Sequence, residues 1–446
     1  MSDESHFELV MSDGPVKSRA VYIDATDFVL HLAHTDTVTG IQRVTHQAII
    51  GLSNHSSVKP ILFSFATKRF YELPARLFDL TNQENRLNLK RIGRHVGRTL
   101  QARSVGDTRI VRRMRDRVRE FQMVTKMFAG RDIYVNGMKA VNFERGDQLV
   151  ILGAIWGMQG YIGDLREIAD ACAVDLTFFC HDMVPWRYPH LVEGNTSANF
   201  LGYMREIVPF CRKFVCNSDA TRNDLNAFLK EEHCTNIPIA VVPLAHEFVT
   251  STASDGASRF GSAADLPKKY ILCAGTIEPR KNHLRLASAF RAALEKFKHE
   301  PPKLVIAGKC GWRVDDFYRM MEETNWISRQ VIWIENPSDF DLERLYRSCD
   351  FTIYPSLFEG WGLPVGESLW FRKRCVSSRI GGIPEVGIDA VDYVDPLDVS
   401  SITAAIVRHA EDHRTISTFD ERVAKAHLRS WSGFGSDLLN ALPGAP

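Results

Sequence analysis

Short apolar runs alternate along the chain with longer stretches whose apolar positions recur every three or four residues. The second half carries the pattern most plainly. "KYILCAGT" (269–276), "KLVIAG" (303–308), "QVIWIE" (330–335), "DFTIYPSLF" (350–358), "RCVSS" (374–378) and "DYVD" (392–395) read as strands. Between them lie helical patterns: Ala287, Phe290, Leu294 and Phe297 at spacings of three and four, then segments near 315–324, 341–349, 364–373 and 400–411. Strands alternating with helices predict a parallel, doubly wound sheet covered on both faces.

The first half repeats the alternation more loosely. Strands are expected at "AVYIDAT" (20–26), "KPILFSF" (59–65), "QLVILGAIW" (148–156), "DLTFFCHDM" (175–183), "KFVCNS" (213–218) and "IAVVPL" (239–244), and a helix after the glycine turn in "TGIQRVTHQAIIGL" (39–52). With 446 residues the chain exceeds one compact core. The expected division is an N-terminal Rossmann-like domain over 1–249, a polar Ser/Ala/Gly/Asp linker over 250–268, a second Rossmann-like domain over 269–425, and a C-terminal helix over 426–446 that crosses back to the first domain. Ligands of such sheets bind beyond the carboxyl ends of the strands.

Residues 84–130 break the alternation. From Arg86 to Lys126 there are thirteen Lys/Arg against Asp107, Asp116 and Glu120. Leu87, Leu89, Ile92, Val96 and Leu100, then Ile110, Met114, Val118 and Phe121, recur at helical spacing. One or two basic amphipathic helices inserted into the first domain are expected. They either pack on it by one face or rest on an anionic membrane surface. No nucleic-acid motif accompanies the charge, so nucleic acid is not expected as a partner. Nine cysteines are scattered without a CxxC pair, which reads as buried thiols in a reducing compartment, neither a disulfide frame nor a zinc site. The polar, acidic start is no signal peptide, and no apolar run approaches the ~20 residues of a spanning helix. The expected location is the cytoplasm, with any membrane contact peripheral on the inner face.

Candidate chemistry sits at the strand ends. In "FEGWGLPVGE" (358–367), a glycine turn joins a strand to a helix whose first turn holds Pro364. Glu367 there could simply complement the helix dipole, a contribution of about 0.3–1 kcal/mol. Glu359, before the turn, has less structural reason and faces the cleft. Carboxylates suit vicinal hydroxyls, and the N–H groups of Gly362 and Leu363 suit phosphate or sugar oxygens. A nucleotide sugar carries diols at both ends and a diphosphate between. In "AGTIEPRKN" (274–282), Arg280 and Lys281 are expected to open the following helix, where adjacent cations oppose the dipole unless a bound diphosphate compensates.

These residues carry a resemblance. "EGWGLPVGE" resembles the E-x7-E element of the retaining family-4 glycosyltransferases, which have the GT-B fold. "GTIEPRKN", "LVIAGKCGW", "GGIPEVG" and "HDMVPWRYP" follow in the family's order. The resemblance covers roughly 20–60 and 145–430 and excludes the basic insertion. It implies that Glu367 binds the nucleotide ribose and Glu359 the transferred sugar, that Gly362 and Leu363 offer backbone N–H groups, and that Lys281 with Arg280 neutralises the diphosphate. It further implies that Gly40 lies on the loop approaching the phosphates and that His181 lies near the sugar. Two departures stand out: Gly275-Thr276 where the family has Gly-Arg, which leaves Arg280 to substitute, and Ala245-His246 in place of a glycine.

The resemblance implies a retaining hexosyltransferase in bacterial polysaccharide or lipopolysaccharide assembly. The donor would be a nucleotide sugar, GDP-mannose first, with UDP sugars as the alternative. The acceptor would be a saccharide carried on a lipid diphosphate. No cofactor and no metal are expected, because no DxD element appears in a glycine-rich context and cations take a metal's place; Asp24 and Asp27 read as capping residues. Asp182 and Asp24 are nucleophile candidates by default. Two other readings are a GT-B nucleotide-sugar epimerase, which leaves the basic insertion unexplained, and a non-catalytic binding scaffold, against which the intact His181, Glu359, Arg280 and Lys281 argue.

Overall fold

A computed structural model describes residues 19–35, 38, 40–104, 138–250 and 266–443. Two sheets face one another. The first contains β1 (Val21–Asp24), β2 (Val58–Ser64), β3 (Arg69–Glu72), β4 (Gln148–Ile151), β5 (Asp175–Cys180), β6 (Lys213–Cys216) and β7 (Ile239–Val241), in the order β3-β2-β1-β4-β5-β6-β7. The second contains β8 (Tyr270–Ala274), β9 (Lys303–Ala307), β10 (Val331–Ile334), β11 (Phe351–Tyr354), β12 (Cys375–Ser378) and β13 (Val391–Val394), in the order β10-β9-β8-β11-β12-β13. Every pairing is parallel except β2–β3. The central strands are buried on both faces; Tyr270–Ala274 and Phe351–Tyr354 show no outward position. That is why they read as continuous apolar runs, as helix-covered parallel sheets require. This is the doubly wound α/β architecture expected from the sequence.

Local chemistry shifts several boundaries. β11 stops at Tyr354, short of the expected Phe358, because Pro355 cannot continue the ladder. Arg280 and Lys281 do not open the following helix. They lie in a 3-10 turn, Pro279–Lys281, and Asn282 in a left-handed conformation (φ 64°) separates them from the helix His283–Leu294. The antiparallel edge strand β3 was not expected.

The helix Gln83–Ser104 occupies the start of the basic segment. Its Leu89, Ile92 and Val96 are buried against the first domain, and Gly93 lets it approach the backbone of the helix Thr26–Leu32: a Cβ there would lie 2.1 Å from the Val29 carbonyl oxygen. Most of the apolar stripe in this half of the insertion is therefore core, which fits packing by one face, while Leu87 at its start is exposed. Arg91 and Arg94 point outward. Residues 105–137, with Ile110, Met114, Val118 and Phe121, lie outside the described residues, as do 251–265 of the expected linker. Among the described residues no helix is long and apolar enough to cross a membrane.

The chain ties its halves together at both ends of the second. Phe248 packs on Tyr346 and Phe371 of the second half. The helix Trp431–Asn440 packs against Ile41–Gly51 of the first, and Trp431 donates to Glu247 through its backbone N (2.8 Å) and its indole N–H (2.9 Å).

Candidate active site

A cleft of about 430 Å³ lies between the sheets at the carboxyl ends of their strands, and every expected site residue lines it: Gly40, His181, Arg280, Lys281, Glu359, Gly362, Leu363 and Glu367. The glycine loop after β11 forms one wall. Gly362 takes φ 103° before the helix Leu363–Trp370, a conformation open to glycine at little cost. Gly360 is required for a different reason. A Cβ there would fall 2.0 Å from the His181 carbonyl oxygen, so only glycine lets the second domain's loop close on the end of β5. The Gly360 carbonyl then accepts from Ser218 of the first domain (2.7 Å). Glu385, in "GGIPEVG", reaches the same region and accepts from the N–H groups of Asp219 and Ala220 (2.8 and 3.0 Å), at the start of the helix Asp219–Glu231.

Glu359 sits five residues beyond β11, buried, and both its carboxylate oxygens are engaged. Arg280 pairs with Oε2, while Lys281 (2.7 Å), Tyr354 Oη (2.6 Å) and Ser356 Oγ (2.7 Å) meet Oε1. Burial alone would raise its pKa; Arg280 and Lys281 outweigh burial and hold it down to about 2. Arg280 also bonds Glu278 (2.6 Å) and the Phe358 carbonyl (2.9 Å). Burial works against its charge, but Glu359 and Glu278 raise its pKa. Burial depresses the Lys281 ammonium against the pull of Glu359. The adjacent cations thus have their compensation inside the chain, from Glu278 and Glu359, where the sequence reading offered a bound diphosphate.

His181 follows β5 directly. Its Nε2 lies 2.7 Å from the Leu152 carbonyl, which can only accept, so Nε2 carries the proton and Nδ1 keeps a lone pair. Burial lowers its pKa to about 4, so the ring is neutral near pH 7. Asp182 lines the same cleft. Its Oδ1 accepts from Val184 N (3.1 Å), and burial raises its pKa although Arg280 pulls the other way. Asp24 does not reach the site. It is buried, accepting from Thr26 N (2.9 Å), Thr26 Oγ1 (2.5 Å) and Tyr161 Oη (2.7 Å), which removes it as a nucleophile candidate. Asp27 accepts from Ala154 N (3.0 Å) and Gln42 (3.1 Å), which is a turn-capping role.

Arg43 is the residue that sequence reasoning missed. Its buried guanidinium crosses from the helix Ile41–Gly51 to the second domain, where it pairs with Glu367 and, at 3.3 Å, with Asp339, and lies over the Phe248 ring. The other Glu367 oxygen accepts from Tyr346 Oη (2.8 Å). Glu367 is therefore a fixed carboxylate held between domains, with second lone pairs still available to a diol. The only sequence signal was an arginine one turn into a helix that opens at the Gly40 loop. His246, at the departure from the family's glycine, is buried between Val386 O (3.0 Å) and Arg429 N (3.0 Å) and acts as a tie between segments.

Residues 255–426 match the family described as glycosyl transferases group 1. The O-antigen chain mannosyltransferase B of Escherichia coli is 33% identical over 177 residues, which are 39% of this chain and 45% of that protein. A serotype-specific mannosyltransferase WbdA, also from Escherichia coli, is 27% identical over 282 residues, 60% of this chain and 33% of that one. The chain thus spans less than half the length of these curated relatives. Among solved structures, the sucrose-phosphate synthase of Thermosynechococcus elongatus superposes with a TM-score of 0.57 at 14% identity, covering 94% of this chain and 97% of that one. Anabaena HepE in complex with UDP gives 0.56 at 12% identity over 95% and 98%. At these identities the likeness is one of fold, and the fold is GT-B, as the resemblance implied.

Proposed function

From a chain whose residues 255–426 are a group 1 glycosyltransferase domain within a GT-B fold, we propose that this protein moves a hexose, mannose first, from a nucleoside diphosphate sugar to a saccharide acceptor. The transfer retains anomeric configuration, needs no metal, and serves bacterial surface polysaccharide or lipopolysaccharide synthesis. The observation that carries this reading is the gathering of Gly40, His181, Arg280, Lys281, Glu359, Gly362, Leu363 and Glu367, distant in sequence, around one interdomain cleft. The mannosyltransferase names of the Escherichia coli relatives support the sugar, and the UDP in the HepE complex supports a nucleotide in this fold.

In this reading Glu367, fixed by Arg43 and Tyr346, accepts from the ribose diol. Glu359 offers its remaining lone pairs to hydroxyls of the transferred sugar. Lys281 and Arg280 stabilise the charge that grows on the leaving diphosphate, together with N–H groups at the start of the helix Leu363–Trp370. Neutral His181 presents Nδ1 as an acceptor rather than a further cation. Closure of the cleft brings acceptor hydroxyl and anomeric carbon together and excludes water. The acceptor is lipid-diphosphate-linked, and the protein works on the cytoplasmic side of the membrane. Any contact with an anionic surface there runs through outward cations such as Arg91 and Arg94 and through the exposed Leu87, with Leu89, Ile92 and Val96 being buried.

Lys281→Ala tests the assignment. It removes one of the two cations on Glu359 and is expected to lower kcat/KM at least a hundredfold, while Arg280 keeps Glu359 paired and the chain folded. Initial rates with thermal unfolding of the same samples check this. A folded variant with the wild-type rate contradicts the reading.

A further inference from the structure

The cleft is electrically balanced before any ligand enters. Arg43, Arg280, Lys281 and Lys309 line it, and so do Asp182, Glu278, Glu359 and Glu367. Three of the four cations are committed: Arg43 to Glu367 and Asp339, Arg280 to Glu278 and Glu359, Lys281 to Glu359. A diphosphate entering here would meet cations whose charge is already answered by carboxylates that cannot leave the interior cheaply. Lys309 differs. It is exposed, and among the described residues its ammonium has no ion-pair or hydrogen-bond partner.

Its place in the fold gives this charge a use. Lys309 stands just beyond β9, and its carbonyl accepts from Ile277 N (2.9 Å) in the loop after β8. The backbone of Lys309 is thereby pinned beside Gly275-Thr276, the point where the resemblance leads one to expect an arginine and this chain has none. The sequence suggested Arg280 as the substitute. Arg280 is buried and held by Glu278, Glu359 and the Phe358 carbonyl, so much of its charge is answered before a diphosphate arrives. A flexible lysine on the adjoining loop can deliver a point charge to a phosphate without first breaking an internal pair.

We propose that Lys309 is a donor-binding residue that supplies the phosphate-neutralising charge missing at Thr276. The ligand class is a nucleoside diphosphate and its sugar esters, so the inference rests on the donor reading above. The test is titration of the full chain and of Lys309→Met and Lys309→Arg with GDP and UDP, and with guanosine and uridine, at low and high salt. For whichever diphosphate the wild type binds, Lys309→Met weakens binding about ten- to a hundredfold, the scale of one charge-assisted hydrogen bond. The matching nucleoside is bound unchanged, Lys309→Arg recovers most of the loss, and the salt dependence of the Met variant is shallower. Lys309→Met binding the diphosphate as the wild type does, or losing diphosphate and nucleoside equally, overturns the role of Lys309 and leaves the donor reading standing. A wild-type chain that binds neither diphosphate overturns both.

Discussion

At the scale of single residues, protonation states organise the cleft. His181 is neutral because burial outweighs the Leu152 carbonyl and Asp27, and Glu359 is ionised because Arg280 and Lys281 outweigh burial. The first makes a testable contribution to stability. With a pKa of about 4 in the folded chain and an ordinary value of 6.5, the folded state binds fewer protons than the unfolded one between those values, so stability rises with pH across that window. This contribution is complete above pH 6.5 and is lost as pH falls toward 4. His181→Asn is expected to lose less thermal stability than the wild type on going from pH 7 to pH 4.5. Melting temperatures measured in parallel check this, and equal losses would contradict it. Other buried histidines (His46, His246, His283 and His409) are lowered too, so the difference between the two proteins isolates His181.

At the scale of elements, legibility followed burial. β8, β9 and β11 are buried on both faces, and an uninterrupted apolar run announces such a strand. β3, "RFYE", is a short antiparallel edge with one fully buried residue, so its sequence carries no run to see. The ordered glycine and carboxylate motifs were readable because they depend on local backbone. Arg43 was not, because its partners Asp339 and Glu367 stand 296 and 324 residues away and leave no mark near it. Glu359 and the Arg280-Lys281 pair were recognised separately, yet their mutual neutralisation appears only once the loop after β11 folds onto the turn after β8. That loop makes the second prediction. Gly360→Ala places a methyl against the His181 carbonyl and must push the loop off β5, an overpacking cost of about 1–3 kcal/mol. Lower stability in urea and reduced activity are expected together; a variant with wild-type values in both would show that the domains do not close here.

For the whole molecule, the interdomain contacts join a polar set, Arg43 with Glu367 and Asp339, Ser218 with the Gly360 carbonyl and Glu385 with the N–H groups of Asp219 and Ala220, to an apolar one in which Phe358 packs with Val184, Val192 and Tyr188. The Arg43 pair holds Glu367 to a residue of the opposite domain, so in the proposed reading donor binding and closure are linked. The central claim is that this cleft holds a nucleoside diphosphate sugar. It is tested most directly by thermal shift and nucleotide release on the purified chain with GDP-mannose, UDP-glucose, UDP-galactose, UDP-GlcNAc and dTDP-rhamnose, in EDTA and again in Mg²⁺. The account predicts that one donor, GDP-mannose first, raises the melting temperature by mass action and gives nucleotide release with acceptor, equally in EDTA and in Mg²⁺. No stabilisation by any donor in either condition would contradict it.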